Sequence, residues 1–272
     1  PPDTQGDIGY DPENGTKYYV QWVNLSFQIW DVSVPAVPVS LYGPAAGNTL
    51  WTGTSTICEY QNDGDPITLF DPLAKRWLMS QFALGFPDNF HQCIAISATA
   101  DPTGEWYLYD YQTSTTMMND YPKFGVWPDG YYMSVNQFRG DNSTPSGAGV
   151  AVFQRDAMLH GQPALMIYFD VGEVTKDYTG MLPSDLDGPA PQPGTPNYFV
   201  EWDDSNWLQD PEDTLRIWEF HTDWANPANT TFGLNASYDP NVMVPTGDVD
   251  PDLCNYSASC IPQPGTTVGL DA

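Results

Sequence analysis

Basic residues are scarce in this sequence: 8 Lys and Arg stand against 35 Asp and Glu, for a net charge of −27. A surface of that sign repels phosphate backbones and anionic headgroups, which excludes nucleic acid as a partner. Long apolar runs are also missing. No stretch approaches the 18 or so apolar residues a spanning helix needs, so no membrane insertion is predicted. The four cysteines, Cys58, Cys93, Cys254 and Cys260, form no C-x-x-C pair, which excludes the usual zinc and haem attachment patterns. His91, His160 and His221 have no metalloprotease spacing. There is no G-x-S-x-G, P-loop or dinucleotide fingerprint.

What the sequence does have is turn residues and aromatics: 23 Gly, 26 Pro, 16 Tyr and 10 Trp, with short apolar runs between them. Many short strands joined by tight turns give this composition. The apolar fraction of 41% is ample for a packed core. An even cysteine count in an acidic chain points to disulfides in an oxidising compartment. The spacing predicts a small loop closed by Cys254–Cys260, which leaves Cys58 to pair with Cys93. N-x-S/T sequons at Asn14, Asn142, Asn229, Asn235 and Asn255 fit a glycoprotein, and a sixth at Asn24 falls in an apparent strand. The opening Pro1-Pro2-Asp3-Thr4 reads as a mature or trimmed start. An extracellular location, secreted or at the cell surface, is therefore expected.

An internal repeat organises the chain. Asp7, Asp65, Asp120 and Asp187 each precede an aromatic residue by twelve positions: Tyr19, Trp77, Tyr132 and Phe199. The starts are separated by 58, 55 and 67 residues. The second unit shows strands at 67–70, 77–82, 93–97 and 106–109. The third repeats the plan at 123–127, 131–138, 149–154 and 164–169, with a helical turn at 155–159. Four short strands per unit predict an all-β fold, a β-propeller of four-stranded antiparallel blades. A β-sandwich is the competing architecture. Residues 1–272 are expected to form a single propeller region with about four visible repeats, starting near 7, 65, 120 and 187. A candidate fifth opens at Asp271, which predicts an incomplete ring in this chain and a second polypeptide or subunit that completes it.

Several segments then resemble a family of large, secreted, mostly uncharacterised bacterial proteins with a propeller-like repeat region. They are Pro1-Pro2-Asp3-Thr4 with Gly6-Asp7, Asn62-Asp63-Gly64-Asp65-Pro66 with Arg76-Trp77-Leu78 and Ser80-Gln81-Phe82, and Asp120-Tyr121-Pro122-Lys123 with Gly125 to Tyr132. Tyr19-Val20-Gln21-Trp22-Val23-Asn24, Leu182-Pro183-Ser184-Asp185-Leu186-Asp187-Gly188 and Cys260-Ile261-Pro262-Gln263-Pro264-Gly265-Thr266-Thr267 complete the set. The resemblance implies an extracellular location and further blades, and assigns no activity or catalytic residue.

A ring of repeat aspartates repels itself unless it is protonated, hydrated or bound to a cation. Asp7, Asp65, Asp120 and Asp187 are therefore candidate Ca²⁺ ligands, with turn capping as the alternative. Asp63 joins them because Asn62-Asp63-Gly64-Asp65 resembles the start of an oxygen-rich loop. Asp203, Asp204, Asp210 and Asp213 read as a solvated acidic loop. Trp22, Trp30, Trp127, Trp202 and Trp218 read as blade packing, with sugar stacking as the alternative. The favoured function is a non-catalytic extracellular propeller for binding or assembly, with glycan, calcium or other subunits as partners. The alternative is a carbohydrate-active enzyme, a glycoside hydrolase or polysaccharide lyase, that uses paired carboxylates. Glu59, Glu201, Asp185 and Asp187 are conceivable members of such a pair.

Overall fold

The computed structural model describes residues 3–205, 212–249 and 261–266. The chain divides into two compact units, Pro1–Glu201 with Ile217–Asn241, and Trp202–Arg216 with Val242–Ala272. The first sheet holds β1 (Thr4–Tyr10), β2 (Lys17–Val23), β3 (Ser26–Asp31) and β4 (Val39–Ala46). A helical turn, α1 (Ile57–Tyr60), leads to β5 (Ile67–Asp71), β6 (Arg76–Gly85), β7 (Asn89–Ser97) and β8 (Trp106–Ser114). The third sheet holds β9 (Met117–Trp127), β10 (Gly130–Arg139), β11 (Pro145–Phe153) and, after α2 (Arg155–Leu159), β12 (Met166–Asp170). The fourth holds β13 (Leu182–Pro183), β14 (Asn197–Asp203), β15 (Thr214–His221) and β16 (Thr231–Phe232), and β17 (Val242–Pro245) follows.

Within each sheet the strands neighbour one another in chain order. The expected all-β architecture of four-stranded antiparallel propeller blades is the one the chain adopts. Each described helix has no more than five residues.

Period-two alternation explains how one strand serves two interfaces. On β6, Trp77 and Met79 join Val20, Trp22 and Phe27 in a core between the first and second sheets. Leu78, between them, joins Ile94, Tyr131, Met133 and Phe153 in a core between the second and third. Tyr132, Val150 and Val152 then pack on Phe199, Trp218 and Phe220. Sheets buried on both faces need continuous apolar runs, which is why β6, β7, β10 and β11 lack polar alternation.

The same registers correct the repeat. Ile8 lies opposite Tyr19, Phe70 opposite Trp77, Val126 opposite Tyr131 and Pro183 opposite Phe199. Trp77, Tyr131 and Phe199 are all fully buried against the preceding sheet. The equivalent residue in the third blade is thus Tyr131, not Tyr132. The hairpin turns differ in length, spanning residues 11–16, 72–75, 128–129 and 184–196. A constant twelve-residue spacing therefore maps onto different registers. Asp7 sits inside β1, Asp65 precedes β5, Asp120 lies opposite Asn136 in β9, and Asp187 falls in the loop after β13. The four aspartates do not occupy equivalent positions.

Cys58 and Cys93 form the expected disulfide, with a Cα–Cα distance of 5.8 Å. Cys254 and Cys260 lie outside the described residues. Asn24 sits in the β2–β3 turn with φ 43°, not in a strand.

In the second unit, Asp203 and Arg216 form a buried ion pair, Oδ2 to Nη2 at 2.8 Å. Asp213 accepts the Ser205 and Val249 N–H groups at 3.0 and 2.8 Å. Asp203, Asp204 and Asp213 are buried, so the expected solvated acidic loop is a packed one there. Asp210 lies outside the described residues.

Candidate active site

The innermost strands β1, β5 and β9 lie side by side. Five residues before Ile8, Phe70 and Val126 stand Asp3, Asp65 and Tyr121. All three have positive φ, at 42°, 45° and 52°. This left-handed backbone costs of order 1–3 kcal/mol for a residue with a side chain, and persists only where the surroundings hold it. The residue after each kink is Thr4, which opens β1, Pro66, just before β5, or Pro122, at a register shift inside β9. The two prolines carry no N–H that these irregular positions would leave unpaired.

The three kinked residues converge on one cavity of about 150 Å³, also lined by Pro66, Pro122 and Lys123. The Tyr121 N–H donates to Asp65 Oδ2 at 2.9 Å, which ties the second blade to the third. Lys123 Nζ stands 3.5 Å from the Tyr121 ring centroid. Burial, opposed by that N–H, raises the Asp65 carboxyl to about 6. The charges of Asp120 and Asp3 and a hydrogen bond to Asp120 push it further the same way. A carboxyl that gives up its proton near pH 6, in a cavity it shares with Asp3 and hydrogen-bonded to Asp120, is equipped for acid–base work.

The other expected site residues are occupied differently. Asp7 accepts the N–H groups of Ile8 and Phe70, both at 2.6 Å, which pins β1 to β5. Its carboxyl is raised chiefly by burial, with Asp187 adding a like charge. Asp185 accepts the Val126 N–H at 2.7 Å and lies within electrostatic reach of Asp7 and Asp187. Asp7 follows Asp3 by four residues, about 13 Å along a strand at the usual rise. The carboxyls thus stand at two levels, with the cavity at the level of the three kinks.

Asp63 accepts the Leu84 N–H at 2.7 Å, and Asn62 binds Asn48 and Leu25. The loop over 62–65 therefore spends its first two side chains on anchoring itself. Glu59 accepts from Gly53 and Ser55, which lowers its pKa and closes a surface turn. Glu201 accepts the Thr179 N–H at 2.9 Å. Among the described residues no group of three or more His, Cys, Asp or Glu is arranged to hold a metal ion. Asn14, Asn142, Asn229 and Asn235 are exposed, and Asn255 lies outside the described residues. Trp22, Trp127 and Trp218 are buried as blade packing, and Trp30 stacks on Tyr19 with centroids 5.6 Å apart.

Sequence reasoning missed Asp3 and Lys123 as site residues. The available signal was Asp65-Pro66 just before β5 and Tyr121-Pro122 within β9, two X-Pro dipeptides on neighbouring inner strands.

No family model and no curated protein matches the chain. Solved structures do. A GH43 endo-arabinanase from Bacillus licheniformis is 11% identical over 85% of this chain and 78% of its own, with a TM-score of 0.38. An exo-β-1,3-galactanase from Clostridium thermocellum is 11% identical over 87% of this chain and 49% of its own, with a TM-score of 0.44. A Bacillus subtilis arabinanase is 11% identical over 85% and 79%, with a TM-score of 0.41. These structures are named as arabinanases and a galactanase, so the expectation of a non-catalytic propeller for binding or assembly finds no support among them. A likeness this distant transfers no substrate and no residue role, so any assignment of chemistry rests on the carboxyls themselves.

Proposed function

We propose that this chain is a carbohydrate-active enzyme, a glycoside hydrolase whose acid is Asp65. The observation that carries this reading is the Asp65 carboxyl, raised to about 6 in a cavity it shares with Asp3. Hydrolysis of a glycosidic bond needs one carboxyl to protonate the leaving oxygen and a second to activate water or attack the sugar. Asp65 holds its proton in mildly acidic solution and gives it to the leaving oxygen. Asp120, hydrogen-bonded to Asp65, keeps that proton in place. Asp3 activates the water, whose hydroxyl goes to the anomeric carbon. The level of Asp7 and Asp185 is less suited: backbone N–H groups occupy both oxygens of Asp7, whereas Asp65 accepts one on Oδ2, and neither Asp7 nor Asp185 lines the cavity.

Hydrolysis is favoured over lyase chemistry on electrostatic grounds. A polysaccharide lyase acts on uronate chains, and a net charge of −27 repels them. A neutral glycan is the substrate class, and arabinan and galactan are the first to try. The test is release of reducing ends from these polymers by wild type, Asp65→Asn and Asp7→Asn. Activity should fall about 100-fold or more in Asp65→Asn and survive in Asp7→Asn. Equal activity in wild type and Asp65→Asn would remove the assignment.

A further inference from the structure

Two depressions on the outside of the first three blades have a lining unlike the rest of this acidic molecule. One, of about 180 Å³, is bounded by Phe27, Tyr42, Thr103 and Trp106. The other, of about 480 Å³, is bounded by Trp106, Tyr107, Tyr109 and Gln162. Trp106 is a wall of both, so they adjoin. Among the described residues neither is lined by an Asp, Glu, Lys or Arg, although the chain carries 43 of these in total.

The platform is built, not incidental. The Trp106 indole N–H donates to the Pro102 carbonyl at 3.2 Å, which fixes the ring's orientation. Tyr42, 45% exposed, stacks on Phe27 with centroids 5.6 Å apart. The Tyr109 hydroxyl lies 3.1 Å from the Gln162 carbonyl oxygen. Gly161 has φ 63°, and a Cβ there would stand 2.6 Å from the Tyr107 ring, so the ring lies against bare backbone. Rigid aromatic surfaces beside hydroxyl and amide groups suit a ligand with an apolar face and a hydroxyl rim. The lack of lining charge, in a field of net −27, selects against a charged one.

We propose that Trp106 divides a two-part surface site, separate from the Asp65 cavity, that binds a neutral polysaccharide chain. The site takes from the proposed function only the choice of polymers to try. Native affinity electrophoresis against arabinan, galactan and xylan tests it, with polygalacturonate as the charged comparison. Wild type is expected to be retarded by at least one neutral polymer and not by polygalacturonate. Trp106→Ala should weaken that retardation about tenfold, the loss of one good aromatic contact. Trp106 also packs on the first core, so Tyr42→Ala and Gln162→Ala accompany it, and each should weaken binding several-fold with an unchanged melting temperature. Asp65→Asn should bind as wild type does, whether or not the protein cleaves the polymer. Three results would overturn the site: no retardation by any neutral polymer, equal retardation by polygalacturonate, or binding lost in Asp65→Asn and kept in Tyr42→Ala and Gln162→Ala.

Discussion

Asp71, at the end of β5, and Arg155, opening α2 in the next blade, form a two-pronged ion pair: Nε to Oδ2 at 2.6 Å and Nη2 to Oδ1 at 3.0 Å. The Asp71 side chain is fully buried. Tyr131 donates to the same carboxylate at 2.9 Å, and the Leu73 and Ala74 N–H groups complete its shell. The pair is 84 residues apart in sequence and locks the second blade to the third.

A buried pair satisfied to this degree is costly to break from one side, because the remaining charge has no water to turn to. Arg155→Met should lower unfolding free energy by about 3–5 kcal/mol. Removing both charges, as Asp71→Leu with Arg155→Met, should recover part of that loss. Chemical denaturation of the two variants checks it, and equal stability in Arg155→Met and wild type would contradict the clamp.

The Cys58–Cys93 bridge closes a loop of sequence separation 35 and fastens α1 to β7. A cross-link of that span contributes about 2–4 kcal/mol, chiefly by restricting the unfolded chain. Replacing both cysteines with alanine should lower the melting temperature by several degrees. Because both sulfurs are buried, brief exposure of the folded protein to reductant should have little effect. A double variant as stable as wild type would contradict this contribution.

Asp65 also sets a pH signature in stability. Its folded pKa, about 6, lies above that of an unfolded aspartate. The fold thus favours the protonated group, and its contribution is complete below the ordinary aspartate range and lost as pH rises to about 6. Carboxyls held low, such as Glu59 and Asp223, act in the opposite sense. The informative quantity is therefore the difference between wild type and Asp65→Asn. Wild type should lose stability relative to the variant as pH rises through that window. Parallel melting curves from pH 4 to about pH 7 would show that the carboxyl is not perturbed.

Strands were legible in the sequence where both faces are apolar. The runs 77–82 and 131–138 lie inside β6 and β10, and the helical turn at 155–159 is α2. The phase of the repeat was not legible, because turns of different length offset the strand registers while keeping the twelve-residue spacing. The aspartates chosen on that spacing include Asp65 and Asp120, which do meet, though of the two only Asp65 lines the cavity. They also include Asp7 and Asp187, which belong to the other level. Asp3 could not be singled out, since its partners stand near positions 65 and 120 and only the blade-to-blade packing brings them together. Function was legible least, because one acidic chain offers 35 carboxyls and the sequence shows neither the burial nor the neighbouring charges of Asp120 and Asp3 that raise Asp65 to about 6.

The central claim is that Asp65 serves as an acid on a neutral glycan, and the most direct measurement is the pH–rate profile for reducing ends released from arabinan or galactan. Wild type should lose activity above about pH 6 as Asp65 ionises. Asp65→Asn should lose activity at every pH while keeping its fold. Asp120→Asn should shift the alkaline limb downward, since it removes a charge that holds the proton on Asp65. Activity that persists in Asp65→Asn, or a profile whose alkaline limb does not move in Asp120→Asn, would contradict the account.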